Sequence, residues 1–230
     1  MSLRILSLVF DDGFAKSFRE IAEIHEEFDL SANLNIIARA CTPEHRPADE
    51  WHLHPMGGWD LWNELRLRGH DIEPHSWSHA NHARITPEEA RAEVDRCLEG
   101  FTANLKGFDA LQAVYAFPYN ASNEAIEAHA LGRMRAVRGG GTGFNDLPTP
   151  LTKRIHCTAF GPGNCEAHLD ARIAEWLDRD HCWLAYNLHG LGDEGWGPVG
   201  ADYLRRLYDR LLKLPGIEIL PPAAALQRYA

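Results

Sequence analysis

The chain has 230 residues, of which 45% are hydrophobic and 24% charged, with a formal net charge of -10. A chain of that length and composition buries one sizeable globular core, and its acidic balance excludes non-specific nucleic-acid binding, which needs a basic face. No stretch approaches the ~18 apolar residues of a membrane span, and the apolar run in MSLRILSLVFDDG is too short for the core of a secretion signal.

The first strand is expected over 3–10 and ends in two adjacent aspartates and a glycine, FDDG. A helical pattern follows at 15–28, then a strand at 33–37, a long polar loop at 38–57 and a helix at 59–68. Strand 70–73 leads into a helix at 87–105, whose TPEEA opening supplies a Thr86 cap, a first-turn proline and early glutamates. Strands at 112–117 and 134–138 flank a helix at 122–132, and a second polar loop covers 139–153. Strand 154–157, helix 166–178, strand 182–188, polar loop 189–200, helix 201–214 and strand 217–220 complete the chain. This βα alternation predicts one α/β domain over 1–230, a distorted (β/α) barrel of about seven to eight mostly parallel strands. In such a barrel the loops after strands build the site, and all three long polar loops follow strands.

The chemistry concentrates at the strand ends. Asp11 and Asp12 repel each other and lose hydration at a core edge, so a cation or an arginine is expected nearby; a plain Asp-Gly turn is the structural alternative. An aspartyl-phosphate motif needs a carboxylate two positions after Asp11, where Gly13 stands. In GHDIEPHSWSHANH, His75 and His79 are four apart, so one helical turn would put both imidazoles on one face. A glutamate beside the first histidine would signal a zinc protease, but Ser76 occupies that place. Alone the pair could be a surface coincidence; with a strand-end carboxylate it becomes a His2Asp metal set that leaves positions open on the ion. His82 reads as exposed or as support behind the ligands. FPY puts Pro118 and Tyr119 at another strand end, and NLHG puts His189 at a fourth.

Together these stretches resemble the polysaccharide deacetylase family, also called carbohydrate esterase family 4 or the NodB-homology domain. FDDG resembles the family's TFDDG, HSWSH its H[ST]xxH, FPY the end of its RxPY and NLH its LxLH, in the family's order across residues 9–189. The resemblance implies Asp11 as general base, and Asp12, His75 and His79 as ligands of one divalent ion, expected to be zinc, with cobalt, nickel or manganese as alternatives. It implies that the Tyr119 backbone N–H serves the oxyanion and that His189 is the general acid. Two departures stand out. Ala116 occupies the place of the family's motif-three arginine, and the DxxDW acid motif has no counterpart in VRGGGTGF at 137–144. Arg138, at the end of the next expected strand and before three glycines, is the candidate replacement, its guanidinium pairing with Asp11 in a fork.

The expected activity is hydrolysis of an N-acyl group, foremost acetyl, from an amino sugar. Trp51 and Trp196, in two of the polar loops, are candidate saccharide platforms, whereas Trp59 and Trp62 read as helix packing. Five scattered cysteines without a CxxC pair suit reduced thiols. With no secretion signal read in the N-terminal run, a cytoplasmic saccharide intermediate of surface-glycan assembly is the expected substrate. An amidohydrolase acting on a small non-sugar amide and a non-catalytic saccharide-binding domain are the alternatives.

Overall fold

The computed structural model describes residues 2–47 and 49–229. Met1, Ala48 and Ala230 lie outside the described residues, although the expected 1–230 domain and the 38–57 loop include them.

Seven strands run in the order β3 (Asp71–Pro74), β2 (Asn33–Ile36), β1 (Arg4–Phe10), β8 (Cys182–Leu188), β7 (Arg154–Ala159), β5 (Ala136–Gly140) and β4 (Val114–Ala116), all parallel. They curl into a (β/α) barrel. Two short strands join off this path: β6 (Phe144–Asp146) pairs antiparallel with β8, and β9 (Ile217–Ile219) pairs parallel with β1. Helices α1 (Ala15–Glu26), α2 (Trp59–Leu67), α3 (Pro87–Asn104), α4 (Glu124–Leu131), α5 (Cys165–Leu177) and α6 (Ala201–Leu211) surround it, and α7 (Pro222–Tyr229) ends the chain. None of the described helices is long and apolar enough to cross a membrane.

Period-two alternation divides the strands between two cores. Leu6, Leu8 and Phe10 of β1 face the helices, in one cluster with Phe18, Ile21, Trp62 and Leu207. Ile5 and Val9 face inward with Ala136, Ile155, Trp183 and Ala185, and Ala223 and Leu226 of α7 pack against this plug. Asp11 continues the inward row, so the motif that begins as core ends as chemistry.

The barrel is not closed by a backbone ladder. β3 and β4 end the strand order, and side chains join them: the Val114 N–H donates to Glu73 Oε2 at 3.0 Å, and His75 Nδ1 donates to the Ala116 carbonyl at 2.9 Å.

Several sequence expectations need correction. The 139–153 loop contains β6, and α7 was not anticipated. His75 and His79 do not share a helical turn: β3 stops at Pro74, and both histidines lie in an irregular loop with Ser76 at φ 65° and His79 at φ 63°. Strand pairing, which sequence periodicity does not see, carries β5 two residues past the expected end, so Arg138 sits mid-strand. His82 is buried, not exposed, and its Nε2 lies 3.1 Å from the Tyr115 hydroxyl.

Candidate active site

The site forms where the C-terminal ends of β1, β3, β4 and β8 converge. At the end of β1, the Asp11 N–H donates to the Leu188 carbonyl of β8 at 3.0 Å, which fixes where the aspartates leave the sheet. Asp12 has φ 87° and Gly13 φ 101°; a side chain on Gly13 would also meet Ile36 and Trp62 at 3.3 Å, so glycine suits that turn. Among the described residues seven non-glycine residues have positive φ, and five of them are Asp12, Ser76, His79, Tyr119 and Asn120. Strain of this kind persists only where its surroundings over-determine it, and here it gathers around one cavity.

That cavity, of about 510 Å³, is lined by Asp11, Asp12, His75, His79, Tyr119, His189, Trp51 and Trp196. Asp12, His75 and His79 offer ligand atoms that all lie within 4.8 Å of one another. Asp12 Oδ1 stands 3.6 Å from His75 Nε2 and 3.3 Å from His79 Nε2, and it is buried without a hydrogen-bond partner. His75 Nδ1 must donate to the Ala116 carbonyl, so Nε2 is the ring nitrogen turned toward Asp12 and left to act as a ligand. An orphaned carboxylate oxygen facing such an imidazole nitrogen is a donor set that fits a divalent cation.

Asp11 is fixed by different partners. Asn35 Nδ2 donates to its Oδ1 at 2.7 Å, and Arg138 Nη2 donates to its Oδ2 at 2.6 Å. The guanidinium fork is divided rather than bidentate on Asp11, since Nη1 goes to Asn120 Oδ1 at 2.8 Å. Arg138 is 1% exposed and lies beneath the cavity wall. In the β4–β5 ladder Ala116 is the register partner of Arg138, so the guanidinium comes from one strand over at the level of the absent arginine.

The electrostatics follow from these neighbours. Burial pushes the Asp11 carboxyl toward its neutral form, but Arg138, then His75 and His189, outweigh it and hold the group below the usual carboxylate range. Burial opposes ionisation of Asp12 too, and His79, His52 and His75 hold it well below. Burial drives His79 down to about 3, which keeps its imidazole neutral. His189 is also lowered, by burial first; among the described residues no carboxylate hydrogen-bonds it, and Trp196 packs edge-on at 5.5 Å. Tyr119 is 55% exposed at the rim.

Reasoning from the sequence missed His52. It lies in the one-turn 3-10 segment Glu50–Leu53, is 3% exposed, and holds Nε2 3.4 Å from Asp12 Oδ1. Asp49 starts this turn, accepting from the Trp51 N–H at 3.0 Å and from His52 Nδ1 at 2.7 Å. Burial would lower His52, but the Asp12 and Asp49 carboxylates raise it to about 9. The signal available was the stretch DEWHLHP, in which two histidines flank a loop leucine two residues apart. Asn35 and Asn120 were missed as well, because strand and turn asparagines carry no spacing signature.

The polysaccharide deacetylase model matches residues 2–135, more than half of the chain. The chain belongs to the polysaccharide deacetylase family. Its fold resembles that of the Xyl-CE4 domain of a multidomain xylanase from the hindgut metagenome of Trinervitermes trinervoides, at TM-score 0.63 and 14% identity, covering 98% of this chain and 91% of that one. A family 4 acetyl xylan esterase from Clostridium thermocellum, in complex with a cobalt ion, matches at TM-score 0.63 and 15% identity, over 97% and 91% of the two chains. A CE4 family pseudoenzyme from Bacillus anthracis matches at TM-score 0.63 and 11% identity, over 98% of this chain and 66% of that one. Among curated protein sequences none matches this chain. The family's fold therefore tolerates both a metal-bound esterase and an inactive member, and the choice between them rests on the residues.

Proposed function

We propose that the chain is a single catalytic domain, a metal-dependent hydrolase that removes an N-acyl group, foremost acetyl, from an amino sugar. One observation carries this reading: an ionised, arginine-held carboxylate, Asp11, stands beside a carboxylate whose free oxygen faces two histidines. Asp12, His75 and His79 would hold the ion, zinc or a similar divalent metal. Bound there, it would acidify a water molecule and polarise the acyl carbonyl.

The remaining work falls to the protein's own groups. Asp11, ionised and fixed by Asn35 and Arg138, accepts the water proton. The Tyr119 backbone N–H, carried by a residue at φ 57°, donates to the developing oxyanion. His189 protonates the departing nitrogen. This last role favours an amide over an ester, because an amine leaves only once protonated. Burial outweighs the support of the Asp12 and Asp11 carboxylates, so His189 holds that proton less firmly than an ordinary imidazole. Trp51 and Trp196, which line the cavity from two loops, are the proposed apolar platforms for a sugar ring. A saccharide intermediate of surface-glycan assembly in the cytoplasm remains the proposed substrate.

Acetate release from N-acetylated amino sugars and their conjugates tests the reading, alongside elemental analysis of the purified protein. One equivalent of divalent metal and acetate release that ceases on chelation are expected. Metal binding without turnover on any amide substrate would instead favour the saccharide-binding alternative.

A further inference from the structure

Helix α1 begins just after the FDDG turn, and Phe14 at its start has no side-chain acceptor for the first N–H groups. The cap comes from the far end of the chain. Glu194 Oε2 accepts from the Ser17 N–H at 2.9 Å and also from the Ser17 hydroxyl. The Ser17 oxygen in turn accepts from the Leu191 N–H at 2.9 Å. Ser17 is 1% exposed and Glu194 4%, so this clasp is shielded from water. A carboxylate suits a helix N-terminus, and a buried, satisfied network of this kind specifies one arrangement of the pieces it joins.

The residues directly after Glu194 pack against His189. Gly195, at φ 80°, lies so close that a Cβ there would stand 3.0 Å from the His189 Cβ and 2.6 Å from the Phe14 ring. Trp196 then meets the imidazole edge-on at 5.5 Å. The Phe14 ring also stacks on His52 at 6.1 Å, so the start of α1 touches both flanking loops. We propose that Glu194 is the positioning residue of His189, clasping its loop to the helix that Asp11 and Asp12 lead into. The proposal rests on the reading of His189 as the acid, and it names what holds that residue where the DxxDW motif has no counterpart. The proton acceptor Asp11 precedes α1 and the proton donor His189 precedes the Glu194 loop. One carboxylate therefore fixes their separation.

The test compares two substrates that differ in their need for an acid. An N-acetylated amino sugar must have its nitrogen protonated to leave, whereas nitrophenyl acetate releases a phenolate that needs no proton. In Glu194→Ala the kcat for the amide is expected to fall about 10–10²-fold with KM little changed, and the ester rate to fall far less. Glu194→Gln keeps an acceptor for both Ser17 donors and should recover most of the amide rate. Ser17→Ala removes the hydroxyl's two bonds and should lie between them. Hydrogen exchange gives a readout apart from turnover: amides 190–196 should exchange faster in Glu194→Ala than in the wild type. Circular dichroism shows that each variant is folded, and if Glu194→Ala does not fold, Ser17→Ala carries the same comparison. Unchanged exchange in that loop, or amide and ester rates that fall in equal proportion, would overturn the positioning role. His189→Ala separates this failure from that of the underlying reading. If it loses amide turnover selectively while the Glu194 and Ser17 variants do not, only the clasp fails. If it keeps the wild-type ratio, His189 is not the acid and the positioning role falls with it.

Discussion

At the C-terminal rim of the barrel, Asp11 and Asp12 are 3% and 2% exposed, and both carboxyls are held below their ordinary range. On β3, Asp71 and the 6% exposed Glu73 also lose water to burial, yet they shift the other way: Asp71 is raised to about 6 and Glu73 well above its usual value. Burial acts alike on both pairs, and the neighbours decide the outcome. The rim pair has Arg138 at 2.6 Å and a ring of imidazoles, whereas Glu73 has the Val114 N–H and Asp71 has only a weak influence from Arg66. The rim is built to keep charge. The β3 pair is built to lose it.

Removing Asp11, the proposed base, should disturb the rim most. Asp11→Asn keeps the shape and a contact for Arg138, so turnover is expected to fall about 10²–10⁴-fold while one equivalent of metal remains bound. Rate assays and elemental analysis of the same preparation check both halves. Retained activity would mean that Asp11 is not the base.

Next in size is the loss of its cation. Arg138→Ala strands a buried carboxylate, and breaking such a pair costs about 3–5 kcal/mol, read as a lowered midpoint in urea. Asp11 should then resemble the β3 pair. In the wild type the acidic limb of kcat/KM is expected to report the Asp11 carboxyl, held below its ordinary range, and the alkaline limb His189, the proposed acid, lowered from its own. In Arg138→Ala the acidic limb should move up, narrowing the profile. Arg138→Lys keeps the charge but cannot serve Asp11 and Asn120 together, so an intermediate loss is expected.

The smallest effect comes from the other end of the comparison. A carboxyl raised in the fold binds its proton more tightly there than when unfolded, so the fold loses stability as pH rises from about 3.9 through about 6. Asp71→Asn removes that loss. It should stabilise the protein by at most about 3 kcal/mol at pH 7 and make no difference below pH 3, which urea titrations at the two pH values would show. Glu73→Gln keeps an acceptor for the Val114 N–H and removes the same kind of loss, so it too should stabilise the protein at pH 7 and make little difference below pH 3.

Much of this was legible in the sequence because the chemistry lies at strand ends. Apolar runs that break into FDDG, FPY and NLH announce both the strand and its terminus, and the alternation of elements announces the barrel. What hydrophobic period cannot report is irregular backbone. The four-residue spacing of His75 and His79 suggested a helix, but Pro74 ends β3 and the following loop turns twice through positive φ. β6 has three residues and lies between glycine- and proline-rich stretches, and α7 opens on the second of two adjacent prolines, so neither gave a periodic window. Arg138 could be named as the partner of Asp11 because a base carboxylate needs a fixed cation, Ala116 cannot supply one, and the next expected strand ends at Arg138. Its placement opposite Ala116 depends on register, which only pairing reveals. His52 belongs to a loop whose course is set by Asp49 and Phe14, contacts without any sequence spacing.

The seam between β3 and β4 gives the barrel an uneven mechanical profile. Elsewhere the wall is held by backbone ladders whose strength is shared among many amides, but here one carboxylate and one imidazole span the gap. His75 is therefore both a clasp in the wall and a member of the proposed metal set. Its substitution loosens the cylinder as well as the site, and amide exchange at Val114 reports the first effect separately from the second.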